Sequence, residues 1–394
     1  MKVIFVSYGA FNSNSGGHIA NFANQLSDAG HTVAVFADGA LEGADDFGPR
    51  RFTALPRSAL LRDPQGAIAF DGAPAVSNDT IVHAWTPREV VRLPVEKLAA
   101  LGLKYVVHLE DNEQVICAAG LNRDWPSLTA MKMIELDALI PPSLSHPRRY
   151  PDFLERSAGM TVIVEPLSKF APRGVPIHVL PPGVEMGDFE TPLAATERRA
   201  LRESLGIGAK TKVIVYHGNM HAVNEAEIFS LYVAIEILRR RGHDVVLVRA
   251  GQDYTPGIDV SYQKLRGEVS IELGFIERER LLKILKLADL LIQPGRADDF
   301  NLYRLPSKLP EFLALGKPVL LPRANLGLVV EDGVEAIVLD RGDATEIADK
   351  AGPLLRDAKR ARAIGEAGRA FARNSMSWSA NADGLARFYK GIVS

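Results

Sequence analysis

A chain of 394 residues is longer than one hydrophobic core ordinarily organises, and roughly two domains of 150 to 200 residues are expected. Its 46 Lys and Arg against 48 Asp and Glu leave a net charge of −2, which excludes a global pull toward nucleic acid, and 47% hydrophobic with 24% charged residues is an ordinary globular composition. The single cysteine, Cys117, excludes an intrachain disulfide framework, argues against a zinc site of paired thiolates and fits a reducing compartment.

The opening run, Val3 to Ser7, is apolar and strand-like. It is too short for a signal peptide, and no later stretch reaches membrane-spanning length, so a cytoplasmic protein is expected. A glycine-containing turn, Asn12-Ser13-Asn14-Ser15-Gly16-Gly17, leads into helical spacing at Ile19, Phe22, Ala23 and Leu26. Gly30-His31 closes that helix and Thr32 to Phe36 begins another strand, which makes a βαβ unit of a parallel sheet. Gly16 and Gly17 permit close backbone approach to a ligand, and the helix start beyond them favours an anion. No third glycine follows in His18-Ile19-Ala20, so the dinucleotide fingerprint is missing and a nicotinamide oxidoreductase is disfavoured. Arg50-Arg51, Arg57, Arg62 and Arg148-Arg149 are interspersed with Phe52, Leu55, Leu60 and Leu61 in this half. That mixture reads either as dispersed solvated arginines or as a peripheral membrane contact serving a lipid-linked acceptor.

Further strands are predicted at Thr80 to His83, Tyr105 to His108, Thr161 to Val164 and Ile177 to Leu180, with a proline-broken loop from Pro141 to Pro147. His108 ends its strand where an α/β fold presents functional groups, and Glu110, Asp111 and Glu113 beside it make a polar site. Glu110 and Asp111 are candidates to orient an acceptor hydroxyl or the histidine, or they form a solvated acidic loop.

A second half begins after Pro181-Pro182-Gly183-Val184. Strands are predicted at Val213 to Tyr216, Val245 to Arg249 and Leu290 to Gln293, with helices at about Ala226 to Arg241 and Leu281 to Ala288. Arg249, near Gly251, is a possible phosphate ligand or a paired structural arginine. His217, His221 and Glu225 have a metal-like look, but no third ligand follows on a helix and no metal is expected. From Arg304 to Leu320 a proline-opened short helix closes at Gly316 and returns through Pro318 into a strand. Leu309, Phe312 and Leu313 share one face of it, which groups Ser307, Lys308 and Glu311 on the other. A carboxylate beside a lysine and a helix start suits a ribose diol next to a diphosphate; the alternative is a surface helix with a dipole-favoured glutamate. Arg356 to Ser394 is helical in character, and its Phe371, Trp378, Leu385, Phe388 and Tyr389 read as packing residues.

In their order, Gly16-Gly17, His108 in Val-Val-His-Leu-Glu-Asp-Asn-Glu, Leu-Pro-Pro-Gly-Val-Glu, and Pro-Ser-Lys-Leu-Pro-Glu-Phe-Leu-Ala-Leu-Gly-Lys-Pro-Val resemble a retaining glycosyltransferase of the GT-B fold, similar to glycosyltransferase family 4. The resemblance covers nearly the whole chain. It implies two Rossmann-like, doubly wound α/β domains facing across a cleft: an acceptor-side domain over 1–185, a nucleotide-sugar domain over 186–375, and a terminal helix over 376–394 returning to the first. It implies His108 near a hydroxyl of the transferred sugar, Glu311 on the donor ribose, and Arg304, Ser307 and Lys308 as diphosphate contacts, with no essential metal or other cofactor. Two places depart from the family pattern. The glutamate expected eight positions before Glu311 is Tyr303, with Asp298 or Asp299 as upstream substitutes. The arginine and lysine expected after Gly218 are Asn219 and Asn224, which can hydrogen-bond phosphate but cannot neutralise it.

The expected function is transfer of a sugar, with retention, from a nucleoside-diphosphate sugar to a hydroxyl of a glycan, glycolipid or small molecule. Two alternatives accompany it: a catalytically silent subunit of the same fold, suggested by Tyr303, Asn219 and Asn224, and a nucleotide-sugar epimerase.

Overall fold

The computed structural model describes residues 1–39, 43–44, 49–72, 77–255 and 260–393. These divide into two compact units, one of Met1–Gly183, Tyr303–Leu305 and Trp378–Ser394, the other of Val184–Leu302 and Pro306–Ser377.

In the first unit the strands β1 (Lys2–Ser7), β2 (Thr32–Ala37), β3 (Thr53–Pro56), β4 (Thr80–Trp85), β5 (Lys104–Leu109), β6 (Gly159–Val162) and β7 (Ile177–Val179) form a parallel sheet in the order β3-β2-β1-β4-β5-β6-β7. Val3 of β1 stands opposite Val33 on one side and Ile81 on the other, so the chain reverses its winding direction beside β1. Ligands of such sheets gather at that reversal, beyond the carboxyl ends of the strands. β1 is buried along its length, as expected for a strand covered on both faces. The helix Asn14–Asp28 starts two residues before the glycine pair because the Ser13 hydroxyl accepts from the Gly16 N–H at 3.0 Å and caps it. Gly16 and Gly17 therefore lie inside the first turn rather than in the turn that precedes it. A Cβ on Gly16 would lie within 2.5 Å of Phe11 O, so this glycine lets the Ala10-Phe11 backbone pass directly beneath the helix.

The helix Trp378–Val393 belongs to the same unit and covers the Asn14–Asp28 helix, with the Trp378 and Phe22 rings 5.1 Å apart edge-on. Asn381 Nδ2 donates to Pro181 O at 2.9 Å and ties the start of this helix to the end of the sheet. β6 begins two residues earlier than the apolar pattern suggests. Gly159 pairs with Val106, and a side chain there would press on Phe388 and Ile392, so the position reads as a break in sequence but serves as strand. Cys117 is wholly buried in the helix Glu113–Leu121, and burial with the nearby Glu113 charge pushes its thiol up to about 11.

The second unit repeats the architecture with β8 (Lys212–His217), β9 (Val245–Ala250), β10 (Ser270–Glu272), β11 (Leu290–Ile292), β12 (Val319–Pro322) and β13 (Ile337–Leu339) in the order β10-β9-β8-β11-β12-β13. Its winding reverses between β8 and β11. All strand pairs among the described residues of both sheets are parallel. The edge strands β3, β10 and β13 are three or four residues long and go unread in the sequence, where β3 and β10 hold no continuous apolar run.

Gly16→Ala is expected to destabilise the first unit by about 1–3 kcal/mol through overpacking against the Ala10-Phe11 backbone. Thermal unfolding checks this against Gly187→Ala, whose added methyl would meet nothing within 4 Å and should leave the transition within error.

Candidate functional site

Each unit presents a group of polar side chains at the carboxyl ends of its central strands. In the first unit, β5 delivers His108 and the turn after it delivers Glu110 and Asp111. Glu110 accepts a short hydrogen bond from the Ser15 hydroxyl and faces His18 Nδ1 at 3.4 Å, and the Tyr8 hydroxyl lies 3.1 Å from Ser15 Oγ, where it can donate in turn. Burial opposes the charge on Glu110, yet His18, His108 and Ser15 hold its carboxyl down at about 2. It is therefore an ionised, fully engaged acceptor.

Asp111 is in the opposite situation. Its side chain keeps 36% of its exposure, and burial together with the Glu110 and Glu113 charges pushes it up to about 7, against the pull of Arg88 and Arg304. A carboxyl that exchanges its proton near neutrality can accept a hydrogen bond from, or donate one to, a ligand hydroxyl. Glu113 opens the following helix instead of extending the acidic loop. Arg88 donates to both its oxygens at 3.2 Å, Ser145 adds a third donor at 2.6 Å, and the Arg88 guanidinium lies 4.3 Å over the Tyr8 ring. His108 is 1% exposed, stacks 4.1 Å from Trp85 and bonds Thr161 Oγ1 through Nδ1 at 2.8 Å. Burial lowers it to about 4 in spite of Glu110, so it is neutral at pH 7.

Arg304 groups with this unit, alongside Tyr303, whereas Ser307 and Lys308 group with the other. Tyr303 is nearly buried; its hydroxyl accepts a short bond from Lys169 and its ring lies 5.6 Å from Phe170. Next to this cluster is a cavity of about 470 Å³ lined by Trp125, Tyr150, Phe170, Gln114, Lys169 and Glu155, among others. Of the arginines read as a basic surface, Arg57 is buried and donates to Ser7 O at 2.6 Å, and Arg149 pairs with Asp137 at 2.6 Å. Those two are structural rather than a free cationic face.

In the second unit β8 ends at His217-Gly218. A Cβ on Gly218 would come within 3.0 Å of Lys308 Nζ, so the lysine reaches this turn because glycine leaves it open. Lys308 sits at the start of the helix Leu309–Ala314, whose Leu309, Phe312 and Leu313 are fully buried, and Glu311 stands in its first turn. Arg278 grips Glu311 with both ends of its guanidinium, at 2.7 and 2.9 Å, a partner 33 residues away that the sequence reading omits. Ser307 is exposed beside them. His217 packs 5.9 Å from the Phe312 ring, and burial, Lys308 and Arg278 drive it to about 3. His221 stacks on Tyr254 at 4.9 Å.

Three candidates of this unit turn out to be spent on the fold. Asn219 Oδ1 accepts from Gln252 N at 2.9 Å, while Asn224 accepts from His221 N at 2.7 Å and donates to Asn219 O at 3.0 Å. Both asparagines staple the turn after β8. Arg249 is 1% exposed and binds Asp253 at 2.7 Å and Glu272 at 2.9 Å, the pairing of a structural arginine. Asp298 is likewise occupied, accepting from Phe300 N at 3.1 Å and Asn301 N at 2.9 Å. Ser15, His18, Tyr8, Arg88, Thr161 and Arg278 were not singled out in sequence. Of these, only His18, next to the glycine pair, carried a local signal.

Residues 211–357 match the family model of group 1 glycosyl transferases. The chain is 30% identical over 231 residues to a D-inositol 3-phosphate glycosyltransferase of Corynebacterium jeikeium, covering 55% of this chain and 52% of that protein. It is 28% identical over 236 residues to a GDP-mannose-dependent alpha-(1-6)-phosphatidylinositol monomannoside mannosyltransferase of Mycolicibacterium smegmatis, covering 57% and 58%. The chain thus spans about half the length of the curated relatives it matches. Among solved structures, Anabaena Alr3699/HepE in complex with UDP-glucose superposes with a TM-score of 0.70 at 15% identity, covering 99% of this chain and 100% of that one. A glycosyltransferase from Rickettsia africae superposes at 0.72 with 12% identity, covering 100% and 98%. The fold is GT-B, with two Rossmann-like α/β units and the terminal helix on the first.

Because the folded state favours protonated Asp111, the stability it contributes is full below its ordinary value of 3.8 and is lost as pH rises through about 7. Asp111→Asn should leave the melting temperature unchanged near pH 4. At pH 8 it should raise it by about 2–4 °C, corresponding to about 1 kcal/mol after allowance for solvent screening. Calorimetric scans at the two pH values read the difference.

Proposed function

We propose that this chain is a retaining glycosyltransferase that moves a hexose from a nucleoside-diphosphate sugar to a hydroxyl of a glycan acceptor, the second unit holding the donor and the first the acceptor. The observation that carries this reading is the meeting of Lys308 Nζ with the Gly218 turn, followed by Glu311 in the first turn of the same short helix. A cation against an open glycine turn suits a diphosphate, and a carboxylate one turn further suits the ribose diol, whose hydroxyls donate to it. Arg278 holds Glu311 in place for that purpose by its two-point contact. Lys308 supplies a side-chain counter-charge for the leaving group, with Ser307 beside it. The group 1 family match over 211–357, which includes these residues, and a structural neighbour holding UDP-glucose support the donor class.

In the reaction, the bond from the anomeric carbon to the diphosphate oxygen breaks as the acceptor oxygen bonds to the same face. The acceptor proton passes to the departing phosphate. In the first unit, His108 contacts a sugar hydroxyl, Asp111 orients the acceptor hydroxyl and Glu110 holds the loop that carries them. The 470 Å³ cavity is within the range of small-ligand sites, and its Trp125, Tyr150 and Phe170 rings suit the apolar faces of sugar rings while Gln114 and Glu155 suit their hydroxyls. This favours a glycan over a membrane-bound lipid as the group seated there. Among the described residues no helix is long and apolar enough to cross a membrane.

One observation favours a second reading. The two asparagines that stand for cations are locked into the turn, so the leaving group has fewer counter-charges than its chemistry prefers, as in a catalytically silent subunit. Incubation with a panel of nucleotide sugars and oligosaccharides, followed by release of free nucleoside diphosphate, separates the two. Transfer with at least one pair is expected; donor binding without release for every pair would favour the silent subunit, and turnover without acceptor an epimerase.

Lys308→Ala should lower kcat about 10²- to 10³-fold through loss of leaving-group stabilisation. Glu311→Ala should weaken donor binding about 100-fold, measured by titration calorimetry. Trp125→Ala should raise the acceptor KM about tenfold and leave the donor KM unchanged.

A further inference from the structure

The first unit contains a chain of buried polar groups that the transfer reaction does not itself require. The Tyr389 hydroxyl, on the terminal helix, lies 2.6 Å from His83 Nδ1; His83 Nε2 lies 2.9 Å from Thr161 Oγ1; and the same Oγ1 lies 2.8 Å from His108 Nδ1. Tyr389, His83 and Thr161 have no exposure at all and His108 has 1%, so water does not complete any of these bonds. Burial keeps both histidines neutral, with His83 lowered well below its ordinary value.

Proton counting then leaves two arrangements. The Thr161 hydroxyl has one proton, so it donates to one imidazole and accepts from the other. In the first arrangement Tyr389 donates to His83 Nδ1, His83 Nε2–H donates to Thr161, and Thr161 donates to His108 Nδ1, which puts the His108 proton on Nε2. In the second every bond is reversed, the His108 proton sits on Nδ1, and the Tyr389 proton is left buried with no acceptor among the described residues. His108 Nε2 has no partner among the described residues in either case: it is an unmatched N–H in the first arrangement and an unmatched acceptor in the second. The first therefore leaves one unmatched buried group and the second leaves two, the Tyr389 proton and the His108 Nε2 lone pair, each bearing its own desolvation cost. The Thr161 backbone carbonyl, which favours a proton on the His108 ring, is the neighbour that would support the reverse order.

We propose that Tyr389 is a positioning residue that sets the tautomer of His108 through His83 and Thr161, so that His108 presents an Nε2–H donor and not a base. Combined with the glycosyl-transfer reading, on which this last step rests, His108 holds a sugar hydroxyl by donating to its oxygen and takes no proton from it.

The test is nitrogen-15 NMR of the full chain labelled at histidine, without donor or acceptor, with the ring signals assigned by their loss in His83→Ala and His108→Ala. Both rings should be neutral Nε2–H tautomers in the native sequence. Tyr389→Phe removes the donor that orders the chain and should shift the His108 tautomer ratio about tenfold toward Nδ1–H. A native His108 protonated at Nδ1, or a ratio untouched by Tyr389→Phe, overturns the proposal. The native spectrum decides even where a variant fails to fold. Nε2–H at His108 with no transfer for any donor and acceptor pair would leave the tautomer assignment standing and defeat only the glycosyl-transfer reading.

Discussion

A charge taken out of water has to bring its partner with it, and at both strand ends this requirement decides which side chains remain for a ligand. Glu110 is admitted to the first unit because Ser15 and His18 rise from the capped helix to meet it, and Glu113 because Arg88 and Ser145 close around it. Arg249 is admitted to the second because Asp253 and Glu272 flank it. Beside these pairs stand the groups that the proposed reading uses: a proton-labile Asp111, a neutral His108, Lys308 at its glycine turn, and Glu311 on Arg278. Much of what resembles a cluster of candidates in sequence is the scaffold that lets those few stand where they do.

The partition between scaffold and site also explains what the sequence could show. Alternating apolar runs and helix caps are local, so the two wound halves and the Leu309–Ala314 helix are legible from periodicity, proline and glycine alone. The face bearing Ser307, Lys308 and Glu311 is equally local, since it follows from Leu309, Phe312 and Leu313 turning inward. Partners far apart in sequence are not legible: His18 with Glu110, Arg278 with Glu311 and Thr161 with His108 depend on strand order and register. Asn219 and Asn224 illustrate the same limit. Asparagine suits both a phosphate and a backbone amide, and only the folded turn shows that its backbone has the first claim.

The turn after β8 is unusually committed. Gly251 approaches Gly218 so closely that a Cβ on it would stand within 2.5 Å of the Gly218 carbonyl carbon, and the two asparagines secure the remaining backbone. Such a turn gives up the cations that a more open loop would carry and gains a fixed backbone for an anion to meet. Preorganised backbone dipoles retain their full effect in a desolvated site, because they do not reorient as charge develops. On the donor reading proposed above, a leaving group received this way would depend more on geometry and less on net charge than one clasped by several long side chains.

The solitary thiol has a practical consequence. Cys117 is sealed from solvent and its thiol titrates near 11, so at neutral pH it is neither reachable nor nucleophilic. The chain is in effect cysteine-free to a thiol-directed dye. A cysteine introduced at the exposed Val223, in the turn after β8, would take a fluorophore at one defined place, with no background substitution, and report on occupancy of that turn in real time.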